Sequence, residues 1–146
     1  MALNTCSEGI SFAREMEEGA AAFYEELAKL FPENAETFLG YATVNNKNVS
    51  NVQRTYFGVI TDGIEGCFAF NIEPEEFSID LALPAGVAKA DALAKAIAAE
   101  ETTAGFYALA GEQGKGLTAD VARAFTLIAR KKGERVEELK ALAAAK

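Results

Sequence analysis

Histidine is absent from the 146 residues, so the chain has no imidazole to serve as a metal ligand or proton carrier. Cysteine occurs twice, at Cys6 and Cys67, and no Cys-x-x-Cys pair occurs anywhere, which excludes an iron or zinc site of four thiolates. The two thiols read as ordinary cysteines of a reducing compartment, with a disulfide between them as the alternative. Only three prolines interrupt the sequence. No run approaches the roughly 20 apolar residues that a bilayer-spanning helix needs. The opening Met1-Ala2-Leu3-Asn4-Thr5 has no basic stretch leading into an apolar one, so no secretory signal is visible. These absences set the expectation of a cytoplasmic protein with no membrane partner.

What is present points to packed helices. Half of the residues are hydrophobic, alanine is abundant, and the length suits a single domain over 1–146. The net charge of -8 argues against a nucleic-acid backbone or an anionic membrane as a main partner. The one basic cluster, Arg130-Lys131-Lys132, is short and sits inside a helical pattern.

Thr5-Cys-Ser-Glu8 has capping-box spacing, and apolar residues follow at helical intervals at Ile10, Ala13, Ala20, Tyr24 and Leu27. This first helix should end near Leu30, because Pro32 disfavours helix at Phe31. A second helix from Asn34 or Ala35 carries Phe38, Ala42, Val49 and Val52 on one face and should stop before the turn signal Thr61-Asp62-Gly63. Residues 62–88, with Gly63, Gly66, Pro74, Pro84 and Gly86, break the rhythm, apart from a short helical turn at Pro74-Glu75-Glu76. A third helix spans Lys89 to Gly111 through Leu93, Ile97, Ala104 and Tyr107. The Gly111–Gly116 stretch reads as a helix stop; with no strand before it, it is not a phosphate loop. Thr118 caps a fourth helix through Val121, Phe125, Ile128, Val136 and Leu139.

The most informative feature is a repeat. Glu17, six residues before Phe23-Tyr24, recurs as Glu100, six residues before Phe106-Tyr107; Phe38-x3-Ala42 recurs as Phe125-x3-Ala129. The offset is 83 residues for the first helices and 87 for the second, so the second loop should be four residues longer. The chain is thus two helix hairpins, about 5–61 and 89–143, joined by 62–88.

Duplicated Glu-x5-Phe-Tyr followed by a Phe-x3-Ala helix resembles the half-site of rubrerythrin and related ferritin-like di-iron carboxylate proteins. The resemblance covers nearly the whole chain outside 62–88. It implies an all-α, ferritin-like four-helix bundle with a long crossover between helices 2 and 3. In that family one Glu from each of two helices and Glu-x2-His from each of the other two hold a di-metal centre. Glu17 and Glu100 match the single glutamates. Asn45 and Asn48 stand at the Glu and His positions of helix 2, and Lys132 and Arg135 at those of helix 4. Four of the six expected ligands are therefore missing, and two of the replacements are cations.

The apolar stripes carry Glu17, Asn45, Glu100 and Lys132 onto buried seams, so polar groups should meet at one level of the interior. Two carboxylates at ~4 Å would repel by about 4 kcal/mol at an effective dielectric near 20. Lys132 and Arg135 can cancel that charge, while Asn45 and Asn48 supply hydrogen bonds. Tyr24 and Tyr107 are read as core residues bonded to the carboxylates rather than as redox tyrosines. Glu15, Glu18, Glu25, Glu26 and Glu101 read as solvated faces, and Glu134, Glu137 and Glu138 as partners of nearby bases.

No metal or other cofactor is expected at the centre; Glu17 and Glu100 are the ligands if any metal binds. The leading reading is a metal-free binding or assembly module, possible as a homodimer and with its protein or small-molecule partner unknown. The alternative is a rubrerythrin-type oxidoreductase acting on peroxide or oxygen through a remodelled di-iron or di-manganese site, with Glu18, Glu101 or Glu134 turned inward. A third reading makes Lys132 a catalytic amine.

Overall fold

A computed structural model describes residues 3–61, 68–114 and 119–145. Helices α1 (Cys6–Leu30), α2 (Ala35–Thr61), α3 (Lys89–Gly114) and α4 (Ala119–Ala144) make up most of it, with two short strands, β1 (Leu3–Thr5) and β2 (Phe68–Ile72). Among the described residues the chain is predominantly α, with four α-helices. Helix α1 starts directly after Thr5 and stops at Leu30, where Pro32 opens a single 3-10 turn, Pro32–Asn34. Proline fits there because the first turn of a helix leaves its N–H groups unbonded anyway.

Residue pairs across the interior fix the helix directions. Tyr24 meets Glu100 while Tyr107 meets Glu17, so α1 and α3 run antiparallel. Tyr41 meets Glu138 while Arg135 meets Asn45, so α2 and α4 do the same. The two hairpins, α1 with α2 and α3 with α4, are the most extensively packed pairs, whereas α2 and α4 touch sparingly. Helices α2 and α3 thus point the same way. Between them, the described chain follows α3 from one end to the other. Asn71 donates its backbone N–H to Gln113 (2.8 Å), Phe77 meets Phe106 edge-on, and Asp80 pairs with Lys95 at 2.6 Å. Gly86 then takes φ +75 in a turn closed by Val87 N–H to Pro84 O, a backbone conformation open mainly to glycine, and α3 begins.

Two expectations are corrected. First, residues 68–72 are not irregular: they pair antiparallel with β1, Leu3 opposite Ile72 and Thr5 opposite Phe68. The alternation Phe68, Phe70, Ile72 is the period-2 signal of a strand. The turn at Pro74–Phe77 is present as a 3-10 helix. Second, Gly111 does not stop α3, which continues to Gly114. A Cβ at Gly111 would sit 2.6 Å from Thr126 Oγ1 and 3.2 Å from Thr126 N, so this glycine serves close approach of α4. Residues 115–118, between α3 and α4, lie outside the described residues, and so does the expected longer loop of the second hairpin. Thr118, Asp62, Gly63 and Cys67 lie outside the described residues, and so do the Thr118 cap and any pairing of Cys6 with Cys67. Among the described residues no helix is long and apolar enough to cross a membrane.

The stripes pack in two apolar clusters, although Val49, Ile97 and Ala104 are only half-buried and the buried seam of α3 runs instead through Leu93, Ala96, Glu100, Thr103 and Tyr107. One gathers Ile10, Ala13, Val52, Ile72, Phe106 and Phe125; the other gathers Phe23, Leu27, Phe38, Leu93, Ala96 and Leu139. A polar layer lies between them.

Candidate functional site

That layer contains every residue assigned to it from the sequence. Glu17 is 0% exposed, Glu100 and Lys132 are 2% exposed, and Asn45, Asn48 and Arg135 are buried beside them. Lys132 Nζ lies between the carboxylates, 2.9 Å from Glu17 Oε2, 3.2 Å from Glu17 Oε1 and 3.4 Å from Glu100 Oε1. The contact with Glu100 Oε1 lacks hydrogen-bond geometry, and that oxygen has no hydrogen-bond partner. Arg135 Nη1 donates to Glu100 Oε2 at 3.1 Å and to Asn45 Oδ1 at 2.5 Å.

The hydrogen bonds obey the repeat. Tyr24, seven residues after Glu17, donates across to Glu100 Oε2 at 2.6 Å; Tyr107, seven after Glu100, donates across to Glu17 Oε2 at 3.0 Å. Asn48 and Arg135 hold matching positions, and each serves its own hairpin: Asn48 Nδ2 donates to Glu17 Oε1 at 3.0 Å, as Arg135 donates to Glu100. Asn45 and Lys132 also match in sequence but have diverged in role. Asn45 accepts from Arg135 and donates weakly to the Glu17 carbonyl at 3.5 Å, while Lys132 bridges both acids.

Electrostatics follow from this geometry. Burial works against charge on Glu100, but Lys132 and Arg135 beside it outweigh burial and hold its carboxyl below the usual carboxylate range. Burial would likewise favour neutral Arg135, and the neighbouring Glu100 reverses that, raising its pKa. Burial, reinforced by Glu100, pushes the Tyr24 phenol well above its ordinary value; burial and then Glu17 do the same for Tyr107. Both phenols therefore stay neutral donors. The layer holds two carboxylates against two cations.

One residue of the layer was not foreseen. Tyr41 lies under the guanidinium of Arg135, 4.6 Å from its ring centre, and its backbone carbonyl accepts from Arg135 Nη2 at 3.4 Å. Its position one helical turn before Asn45 was the available signal. The carboxylates of the remodelled-site alternative, Glu18, Glu101 and Glu134, are all exposed. Glu15, Glu25 and Glu26 are exposed as expected. Lys140 pairs loosely with Glu137 and Glu101, and Glu138 accepts from Tyr41 at 2.9 Å.

The six positions do not suit a di-metal centre of the Glu and Glu-x2-His kind. The Lys132 ammonium occupies the space between the acids and the Arg135 guanidinium lies against Glu100, so a metal brought there would face two like charges with only two carboxylates in reach. Among the described residues no group of three or more His, Cys, Asp or Glu side chains is placed to hold a metal ion. No protein-family profile, curated protein or solved structure matches the chain.

Proposed function

We propose that this chain is a ferritin-like bundle related to rubrerythrin, with a long crossover between α2 and α3, in which an internal ion-pair cluster replaces the di-metal centre. It acts as a metal-free binding or assembly module in the cytoplasm, with self-pairing as a homodimer among its possible assemblies. Lys132 carries this reading, because its ammonium sits between Glu17 and Glu100 where a bound cation would otherwise balance them. The reciprocal tyrosines and the parallel course of α2 and α3 support the ferritin-like topology.

The direct test is elemental analysis of protein purified from cells supplemented with iron and manganese. The expected result is no stoichiometric metal after dialysis. Close to two irons or manganese per chain, retained through dialysis, would overturn the reading in favour of a peroxide- or oxygen-dependent oxidoreductase with a rearranged ligand set. Trapping an imine on Lys132 with a carbonyl compound would instead assign the cluster to amine catalysis.

A further inference from the structure

Charge is segregated along this acidic chain. From residue 37 to 61 of α2 and from 121 to 133 of α4 there is no Asp or Glu, while the same stretches carry Lys47, Arg54, Arg123, Arg130, Lys131 and Lys132. The antiparallel register of α2 and α4 lays these two stretches alongside each other. They meet across the sparsely packed side of the bundle, where a cavity of about 270 Å³ opens between Asn48 and Arg54 of α2 and Ala124, Leu127, Ile128 and Lys131 of α4. A second cavity of about 230 Å³, lined also by Glu134 and Glu138, shares Asn48 and Lys131 with it and marks the acidic end of the groove.

The lining has a definite chemistry. Arg54 and Lys131 are exposed and form no ion pair among the described residues, unlike Lys132 one position on. Ala124, Leu127 and Ile128 make an apolar floor, with Leu127 39% exposed. Asn48, 6% exposed, must turn its Nδ2 towards Glu17, which leaves its amide oxygen as a polar wall at the junction. Two unpaired cations over an apolar floor match an anion on a short apolar body. The volume, a little under the roughly 300 Å³ at which pockets for drug-sized ligands begin, suits a small molecule.

We infer that the groove between α2 and α4 is a binding site for a small organic anion, a carboxylate with a short apolar chain, gripped by Arg54 and Lys131. The site borders the internal cluster and shares Asn48 with it, but its two cations, Arg54 and Lys131, are not cluster residues. It gives the binding-module reading a ligand class, and its failure would leave the metal analysis untouched.

The experiment is a titration of the full chain with hexanoate, followed by amide chemical shifts and repeated with hexanamide and with inorganic phosphate. A ligand this small should saturate with a Kd on the order of 1 mM. Hexanoate should shift amides around residues 48–54 and 124–131, hexanamide should not, and Arg54→Glu/Lys131→Glu should lose the response at least tenfold. Lys131→Gln alone should weaken it several-fold, which keeps the test open should the double variant misfold. No saturation by about 20 mM, shifts scattered over the surface, or an equal response in the charge-reversed variant would overturn the assignment. An equal response to phosphate would make the apolar floor irrelevant and also overturn it. A dimer that dissociates on the same substitutions would give the groove to a second copy of the chain instead.

Discussion

Replacing Lys132 with methionine removes the cation while keeping most of the side-chain volume, so the cavity cost is small and the measured loss is chiefly electrostatic. In the wild type Nζ stands 2.9 Å from Glu17 and 3.4 Å from Glu100. At ~3 Å and an effective dielectric near 20, each contact is worth about 5 kcal/mol before desolvation is subtracted. Truncating one partner of a buried pair costs about 3–5 kcal/mol, and that range applies here because Arg135 remains to shield Glu100. Set against a total of about 5–15 kcal/mol for a domain, the loss is large.

The pH dependence gives the sharper signature. In the wild type the folded-state pKa of Glu100 lies below its unfolded value. Its contribution is therefore present above the unfolded pKa and is lost as pH falls through the folded one. In the variant two buried carboxylates share one cation, so a proton is taken up on folding and the pair's pKa rises above the unfolded value. The variant then gains stability as pH falls from neutral towards the unfolded carboxylate pKa. Urea unfolding followed by circular dichroism should show the two proteins several kcal/mol apart near about pH 8 and closer near about pH 5. A gap under about 1 kcal/mol at the higher pH, with no narrowing below it, would mean the layer is wet and the burial argument is wrong. Glu17→Gln added to Lys132→Met should recover part of the loss, since the acid that lost its partner is gone.

The remaining outcomes follow from the same layer. The fourfold change Asn45→Glu, Asn48→His, Lys132→Glu and Arg135→His would rebuild two Glu-x2-His motifs opposite Glu17 and Glu100. It should lower the melting temperature without metal and raise it when iron, cobalt or manganese is added; a folded variant that binds none would show that the six positions do not converge as a ligand set. Tyr24→Phe should cost about 1.5–3 kcal/mol in denaturant unfolding, because the phenol donates to a charged acceptor at 2.6 Å. Tyr107→Phe should cost a similar amount, and a tenfold smaller effect of either would deny the reciprocal arrangement. Gly111→Ala should destabilise by about 1–3 kcal/mol by pushing α4 away at Thr126, against the small gain that alanine gives in an open helix.

How much of this was legible in the sequence depended on which physical signal each part carries. Helix existence and the buried layer were legible because the 3.6-residue stripe passes through Glu17, Asn45, Glu100 and Lys132 among apolar neighbours, and the repeat aligned two hairpins. The β ribbon was not read, since a five-residue strand inside a glycine- and proline-containing stretch gives a short signal that its pairing with residues 3–5 completes. Gly111 misled because a helix-ending glycine and a close-packing glycine look identical in sequence; only the position of Thr126 separates them. The partition of contacts within the layer also required coordinates. Spacing shows that Tyr24 and Tyr107 face inward, but not that each crosses to the other hairpin's acid.

The charge of the layer is unevenly shared between the hairpins, and this has a consequence for pairing. The first supplies Glu17 and two amides; the second supplies Glu100 with Lys132 and Arg135. If the first hairpin paired with a copy of itself, two buried acids would meet without any cation. If the second did so, four cations would surround two acids. Only the unlike pair is neutral, so in separated hairpins the layer's charge would favour heteromeric over homomeric association. Expressed as separate fragments, the two hairpins would be expected to choose each other over themselves.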